Sequence, residues 1–173
     1  MNQNTARKME PEAPHEAAMA QYLTFCLAGE EYGINILKVQ EIKGWTEVTP
    51  MPNTPEFILG VINLRGTVVP IVDLRLHFGL PYLEPGPTTV VIVVRAEDGD
   101  GNQRTMGIVV DAVSEVRNID ENLIQPPPPI EETQGHRAVA GLAAHEERMI
   151  ILLDIDDLLI NGVLRQMETG ANA

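Results

Sequence analysis

Cysteine, aromatic residues, positive charge and long apolar runs are all scarce in this sequence of 173 residues, and each scarcity removes a class of protein. One cysteine, Cys26, leaves no internal disulfide and no cysteine cage for a metal. It stands in the apolar run 22–27 and reads as a small hydrophobic core residue. Aromatics make up 4% of the chain against 44% hydrophobic residues overall, so Ile, Val and Leu must build the interior. Lys and Arg number 12 against 25 Asp and Glu, and the formal charge of -13 repels phosphate backbones and anionic headgroups. That balance predicts no nucleic-acid partner and no direct membrane insertion. No apolar stretch nears the roughly 20 residues that span a bilayer, and no secretory h-region opens the chain, which points to the cytoplasm.

Enzyme motifs are missing as well. There is no HExxH, no GxSxG, no phosphate-binding glycine loop and no dinucleotide fingerprint. The four histidines, His15, His77, His136 and His145, fall in separate segments without metal-ligand spacing. Asp98, Asp100 and Asn102 have the first offsets of a calcium loop but lack its glycine and its terminal glutamate, so they read as a hairpin tip. Neither a catalytic residue nor a metal site nor a cofactor is expected.

What is present is organised around Ile58 to Phe78, ILGVINLRGTVVPIVDLRLHF. Two short β-branched runs flank a polar tip whose Gly66 takes the positive φ that a tight reversal needs. Pro70 interrupts the second run and belongs at an edge or a bulge, since it has no N–H for a ladder. Asp73 follows as a cap for the short turn beyond it. The stretch returns at Gly141 to Leu159, GLAAHEERMIILLDIDDLL, which aligns without a gap and pairs Asp73 with Asp154 and Leu74 with Ile155. Asp154, with Asp156 and Asp157, suits a helix start. Upstream, Tyr32, Gly33 and Ile34 recur as Met106, Gly107 and Ile108, and Val39, Glu41 and Ile42 recur as Val113, Glu115 and Val116. A proline-bearing connection separates the paired blocks in both copies, and the register drifts by seven residues across it. The chain is therefore a two-fold repeat of mostly strand-forming segments.

Taken in order, residues 1–18 read as a disordered leader. Strands are expected at 21–27 and 31–36; 38–44 fits either a strand or a turn. A Gly- and Pro-rich connector, 79–87, joins the copies, and 88–94 is the most apolar strand. Strands at 105–110, 138–143 and 148–153 follow, with 113–118 repeating the Val39 region. A C-terminal helix over 156–168 carries Leu158, Leu159 and Val163 on one side, and 169–173 fray. The copies differ at their tips: Arg65 in the first stands where Glu146 stands in the second. A guanidinium on a glycine-fixed tip suits a carboxylate, either Glu41 of this chain or one on another protein; an ordinary surface arginine is the plain alternative.

The blocks EYGINILKVQEI (31–42), GVINLRGTVVPIVDLR (60–75), GIVVDAVSEV (107–116) and MIILLDIDDLL (149–159) together closely resemble the CheW family of bacterial chemotaxis coupling proteins. The resemblance implies an all-β fold with short helices, built as two pseudo-symmetric five-stranded SH3-like β-barrels over 19–160, roughly 31–84 and 88–155, with strand 21–27 pairing with the second. It implies a non-enzymatic adaptor that bridges the cytoplasmic tips of methyl-accepting chemoreceptors to the regulatory domain of the histidine kinase CheA. Through those partners the protein would be recruited to membrane-associated receptor arrays. On the matching motif positions, Val39, Glu41 and Arg65 would form the receptor-binding surface. The lack of kinase, phosphotransfer and receiver segments points to the coupling protein itself.

Overall fold

The structure is a computed structural model that describes residues 18–129 and 138–167. The leader up to residue 17, His15, His136 and the tail 169–173 lie outside the described residues. The described residues hold ten strands: β1 Met19–Leu27, β2 Glu30–Asn35, β3 Val39–Gly44, β4 Ile58–Leu64, β5 Thr67–Asp73, β6 Val90–Glu97, β7 Gln103–Val110, β8 Ala112–Asp120, β9 Val139–His145 and β10 Arg148–Leu153. A one-turn helix, α1, spans Leu74–His77, and a C-terminal helix, α2, spans 155–167 with a wide π-type winding over Asp157–Leu164. The ambiguous segment at 38–44 resolves into a 3-10 turn, Ile36–Lys38, and then strand β3.

The strands form two five-stranded sheets, ordered β8-β1-β2-β10-β9 and β3-β6-β7-β5-β4. Under the internal repeat these are one and the same order. Units contiguous at 31–84 and 88–155 do not describe them, however, because the hairpin that opens each half is lodged in the sheet of the other half. β1 and β2 lie with β8, β9 and β10, while β6 and β7 lie with β3, β4 and β5. Sequence periodicity reports which residues pair within a hairpin but not which sheet that hairpin joins.

The register repeats as well. In the two parallel ladders Ile71 stands opposite Gly107, and the equivalent Leu152 stands opposite Gly33. Both glycines permit close approach: a Cβ on Gly107 would lie 2.7 Å from Ile71 Cδ1, and one on Gly33 would lie 3.0 Å from Leu152 Cδ2. β4 and β9 each carry one extra residue, Leu59 and Ala140, beside Gly60 and Gly141. Pro70 lies on an inner strand, but it stands just before Ile71, where the β7 ladder begins, so β5 has a single neighbour there.

Each sheet has two apolar faces, which explains the near-continuous run of β6. Ile92, Val94 and Ala96 join Leu23, Phe25, Leu27, Ile34, Val72 and Leu74 in a core shared by both sheets. Val91 and Val93 turn the other way, into an inner cluster with Ile62, Leu64, Val69, Ile71 and Val109. The corresponding cluster of the other sheet holds Tyr22, Ala143, Ile150 and Leu152. Helix α2 seals the shared core with Leu158, Leu159 and Val163.

Cys26 departs from its expected place in the core. The alternation of β1 commits Leu23, Phe25 and Leu27 to the shared core, and Cys26 faces the other way, half-buried, with Sγ 3.6 Å from Ser114 Oγ.

Candidate docking site

The polar pair singled out in the sequence comes together at one end of the second sheet. β3 and β4 are its two edges, and the sheet rolls far enough for Thr49, just after β3, to exchange two backbone hydrogen bonds of 2.9 Å with Val61 of β4. That curvature brings Glu41 of β3 to the β4–β5 tip, where Arg65 Nη2 donates to Glu41 Oε1. The tip is a two-residue reversal in which Arg65 (φ 51°) and Gly66 (φ 89°) are both left-handed, the turn that matches the twist of the flanking strands. Asn63 Oδ1 accepts the Gly66 N–H at 2.7 Å and holds the reversal from beneath.

Arg65 keeps 68% of its side chain exposed and Glu41 keeps 27%, so the pair presents a guanidinium whose free edge faces outward. The hydrogen bond from Arg65 holds Glu41 below the usual carboxylate range, against partial desolvation, with the positive charges of Arg65 and Lys43 adding to it. The same bond raises Arg65 further above its ordinary value. The arrangement has the chemistry of a charged docking point.

Val39 does not share this face. A bulge places Val39 opposite Val94 but Glu41 opposite Val93, so the two residues lie on opposite sides of β3, and Val39 packs against the shared core. Three exposed apolar side chains beside these segments were missed in the sequence: Leu37 (87% exposed), Ile42 and Val68. Val68 could have been found, because it is out of phase with buried Val69 and Ile71.

Asp73 and Asp154 stand at the starts of the two helices. Asp73 Oδ1 accepts from the Leu76 N–H at 3.2 Å, and Asp154 Oδ1 accepts from the Asp157 N–H at 3.0 Å. Asp73 is buried, and desolvation raises its pKa against the N–H groups of Leu76 and Arg75. His77 is fully buried with neither ring nitrogen hydrogen-bonded; it stands edge-on to Phe57 at 4.8 Å, and desolvation lowers its pKa to about 4. It shares no hydrogen bond with either aspartate. Asp98 spends Oδ1 on the N–H groups of Asp100 and Asn102 within its own hairpin tip. Among the described residues, no group of His, Cys, Asp or Glu is placed to hold a metal, and no helix is long and apolar enough to cross a membrane.

Comparison with known proteins decides the family. The CheW-like domain family matches residues 21–161. The chain belongs to the CheW-like family. It is 47% identical over 144 residues to the chemotaxis protein CheW of Klebsiella aerogenes, covering 83% of this chain and 84% of that one. To the chemotaxis protein CheW of Rhizobium meliloti it is 39% identical over 138 residues, covering 80% and 86%. The crystal structure of the scaffolding protein TtCheW from Thermoanaerobacter tengcongensis superposes with a TM-score of 0.71 at 38% identity, covering 81% of this chain and 92% of the other. The two equivalent sheets and the closing helix are thus the CheW-like architecture.

Proposed function

We propose that the protein is a non-enzymatic adaptor of bacterial chemotaxis, coupling the cytoplasmic tips of methyl-accepting chemoreceptors to the regulatory domain of the histidine kinase CheA. In that role it supports control of kinase autophosphorylation within receptor arrays, residing in the cytoplasm and reaching the membrane only through its partners. Family membership over most of the chain carries the reading. The Glu41–Arg65 pair on its fixed tip is the charged element of the proposed receptor-facing surface. Val39 and Ile42 lie on the other side of β3 from Glu41, Val39 half-buried against the shared core, and the exposed Ile42, with Leu37 and Val68, offers apolar contacts around that strand edge. Many such modest contacts, repeated through an array, hold together by multivalency.

Reconstitution with receptor tips and kinase tests this. Arg65→Glu is expected to weaken capture of receptor tips by about tenfold or more, with receptor-stimulated autophosphorylation falling in step, because a charge is reversed where complementarity sets affinity. Its thermal midpoint is expected to stay within about 2 °C of the parent, since the side chain is exposed. Unchanged capture would remove Arg65 from the receptor surface. Full rescue by the charge-swapped pair Glu41→Arg with Arg65→Glu would make the pair a structural brace alone.

A further inference from the structure

At the opposite end of β4 from Arg65, a shallow pocket of about 470 Å³ opens over the inner cluster of the same sheet, lined by Trp45, Glu47, Val48, Leu59, Tyr82 and Glu84. Its floor is rigid. Trp45, Val48 and Leu59 pack against the buried inner cluster, and the backbone N–H of Trp45 donates to Thr89 O at 3.2 Å. Leu59 is the extra residue of the β4 bulge. Its wall is the connector between the repeats, which has no regular structure but is pinned at both ends. Arg75 Nη1 donates to Pro81 O at 2.9 Å and Leu80 N to Arg75 O at 2.8 Å, while Gly86 N donates to Thr89 Oγ1 at 2.8 Å. Tyr82 therefore stands 56% exposed on a fixed backbone.

Two glutamates, Glu47 and Glu84, line the pocket together with the two aromatic residues, and no Lys, Arg or His lines it. Neither glutamate forms an ion pair with any described residue. We propose that this pocket binds an arginine side chain of a partner protein. A guanidinium stacks on an aromatic face, donates up to five in-plane N–H groups to carboxylates and stays charged at neutral pH, where an imidazole is mostly neutral. Lysine offers only a point charge, and an anionic or purely apolar side chain would leave both glutamates desolvated without a partner. The chain's charge of -13 attracts a basic surface. Arg65 stands just beyond the end of β4, six residues from Leu59 and roughly 20 Å away, so the pocket and the tip are separate points of contact. The inference does not depend on the chemotaxis reading.

Trp45 is the only tryptophan, so its fluorescence reports occupancy directly. The full chain is titrated with N-acetylarginine N-methylamide, with its uncharged citrulline counterpart and with tetramethylammonium. The arginine compound is expected to give a saturable change with half-saturation at least about fivefold lower than citrulline, and the double variant Glu47→Gln with Glu84→Gln is expected to raise that value about tenfold. Tyr82→Ala is expected to raise it about fivefold at unchanged thermal midpoint. An equal response to citrulline, or variants that leave half-saturation where it was, would overturn the assignment. Tetramethylammonium saturating at lower concentration than the arginine compound would also overturn it, in favour of a small quaternary ammonium ligand.

Discussion

The two sheets share one strand order and one register, yet their inner faces are filled differently. In the sheet of β3 to β7, branched side chains such as Ile62, Val69, Ile71, Val91 and Val93 close the inner cluster. In the other sheet Ala143 stands at the place of Ile62, and a cleft of about 510 Å³ opens between β8, β9 and β10, lined by Met19, Val116, Leu123 and Ala144 among others. The braces differ in kind too. Arg75 of α1 grips Asp111 in a bidentate pair at 2.8 and 3.0 Å, both groups well covered. At the equivalent helix position Asp156 is the anion, and it binds Lys38 at 2.8 Å with both partners about one-third exposed. A repeat thus conserves backbone geometry while leaving packing density and charge order free, so that identical frames present different surfaces.

The sharpest way to break that equivalence is at the bulge glycines. A Cβ on Gly60 would lie 2.0 Å from the Thr49 carbonyl oxygen, in a backbone of φ +144° that other residues avoid. A Cβ on Gly141 would instead meet the Cγ2 methyl of Ile124 at 2.4 Å and the Gln125 carbonyl oxygen at 3.0 Å, so its backbone approach is less severe than that at Gly60. Gly60→Ala is expected to cost more than about 4 kcal/mol, or to abolish folding, while Gly141→Ala costs about 1–2, as read from urea midpoints. Similar costs at both positions would mean that the sheets are equally tight.

Truncations in the inner clusters come next. Ile71→Ala leaves a closed void and is expected to cost about 4 kcal/mol; Ile150→Ala opens onto the existing cleft, which water can enter, and is expected to cost about 2. Equal losses would show that the cleft side is as well packed as its counterpart.

The third test uses the repeat to choose the substitution. His77 aligns with Leu158, and both are buried. The folded state holds His77 neutral with a pKa of about 4, against 6.5 when unfolded, because burial disfavours the cation. The unfolded chain therefore binds more protons below pH 6.5. This contribution is fully present above 6.5 and is lost as pH falls towards 4, amounting to about 3 kcal/mol over that window. His77→Leu is expected to flatten the urea stability profile between pH 7 and 4. A variant as acid-sensitive as the parent would place the titration elsewhere.

Much of this architecture was legible because it is local. The alternation in β2, the two-residue tip at Arg65–Gly66 and the apolar phase of Leu158, Leu159 and Val163 each follow from neighbours a few residues apart. The Glu41–Arg65 pair was legible only as an option, since a strand edge and a hairpin tip meet only if the sheet rolls. Val39 entered the receptor-binding surface only through the family resemblance, and the bulge that turns it to the other side of β3 from Glu41 shows only in the register with β6.

By itself the sequence determined the repeat, the strand-built class and the acidic surface, since these rest on composition and on side-chain periods of two. Tertiary structure alone decided that the opening hairpin of each half completes the sheet of the other, that Cys26 lies half-buried off the shared core and that Trp45 and Tyr82 line one pocket. The physical reason is that strand pairing between distant segments is chosen by how two apolar faces are buried at once, a condition on the whole chain that no short stretch of it carries.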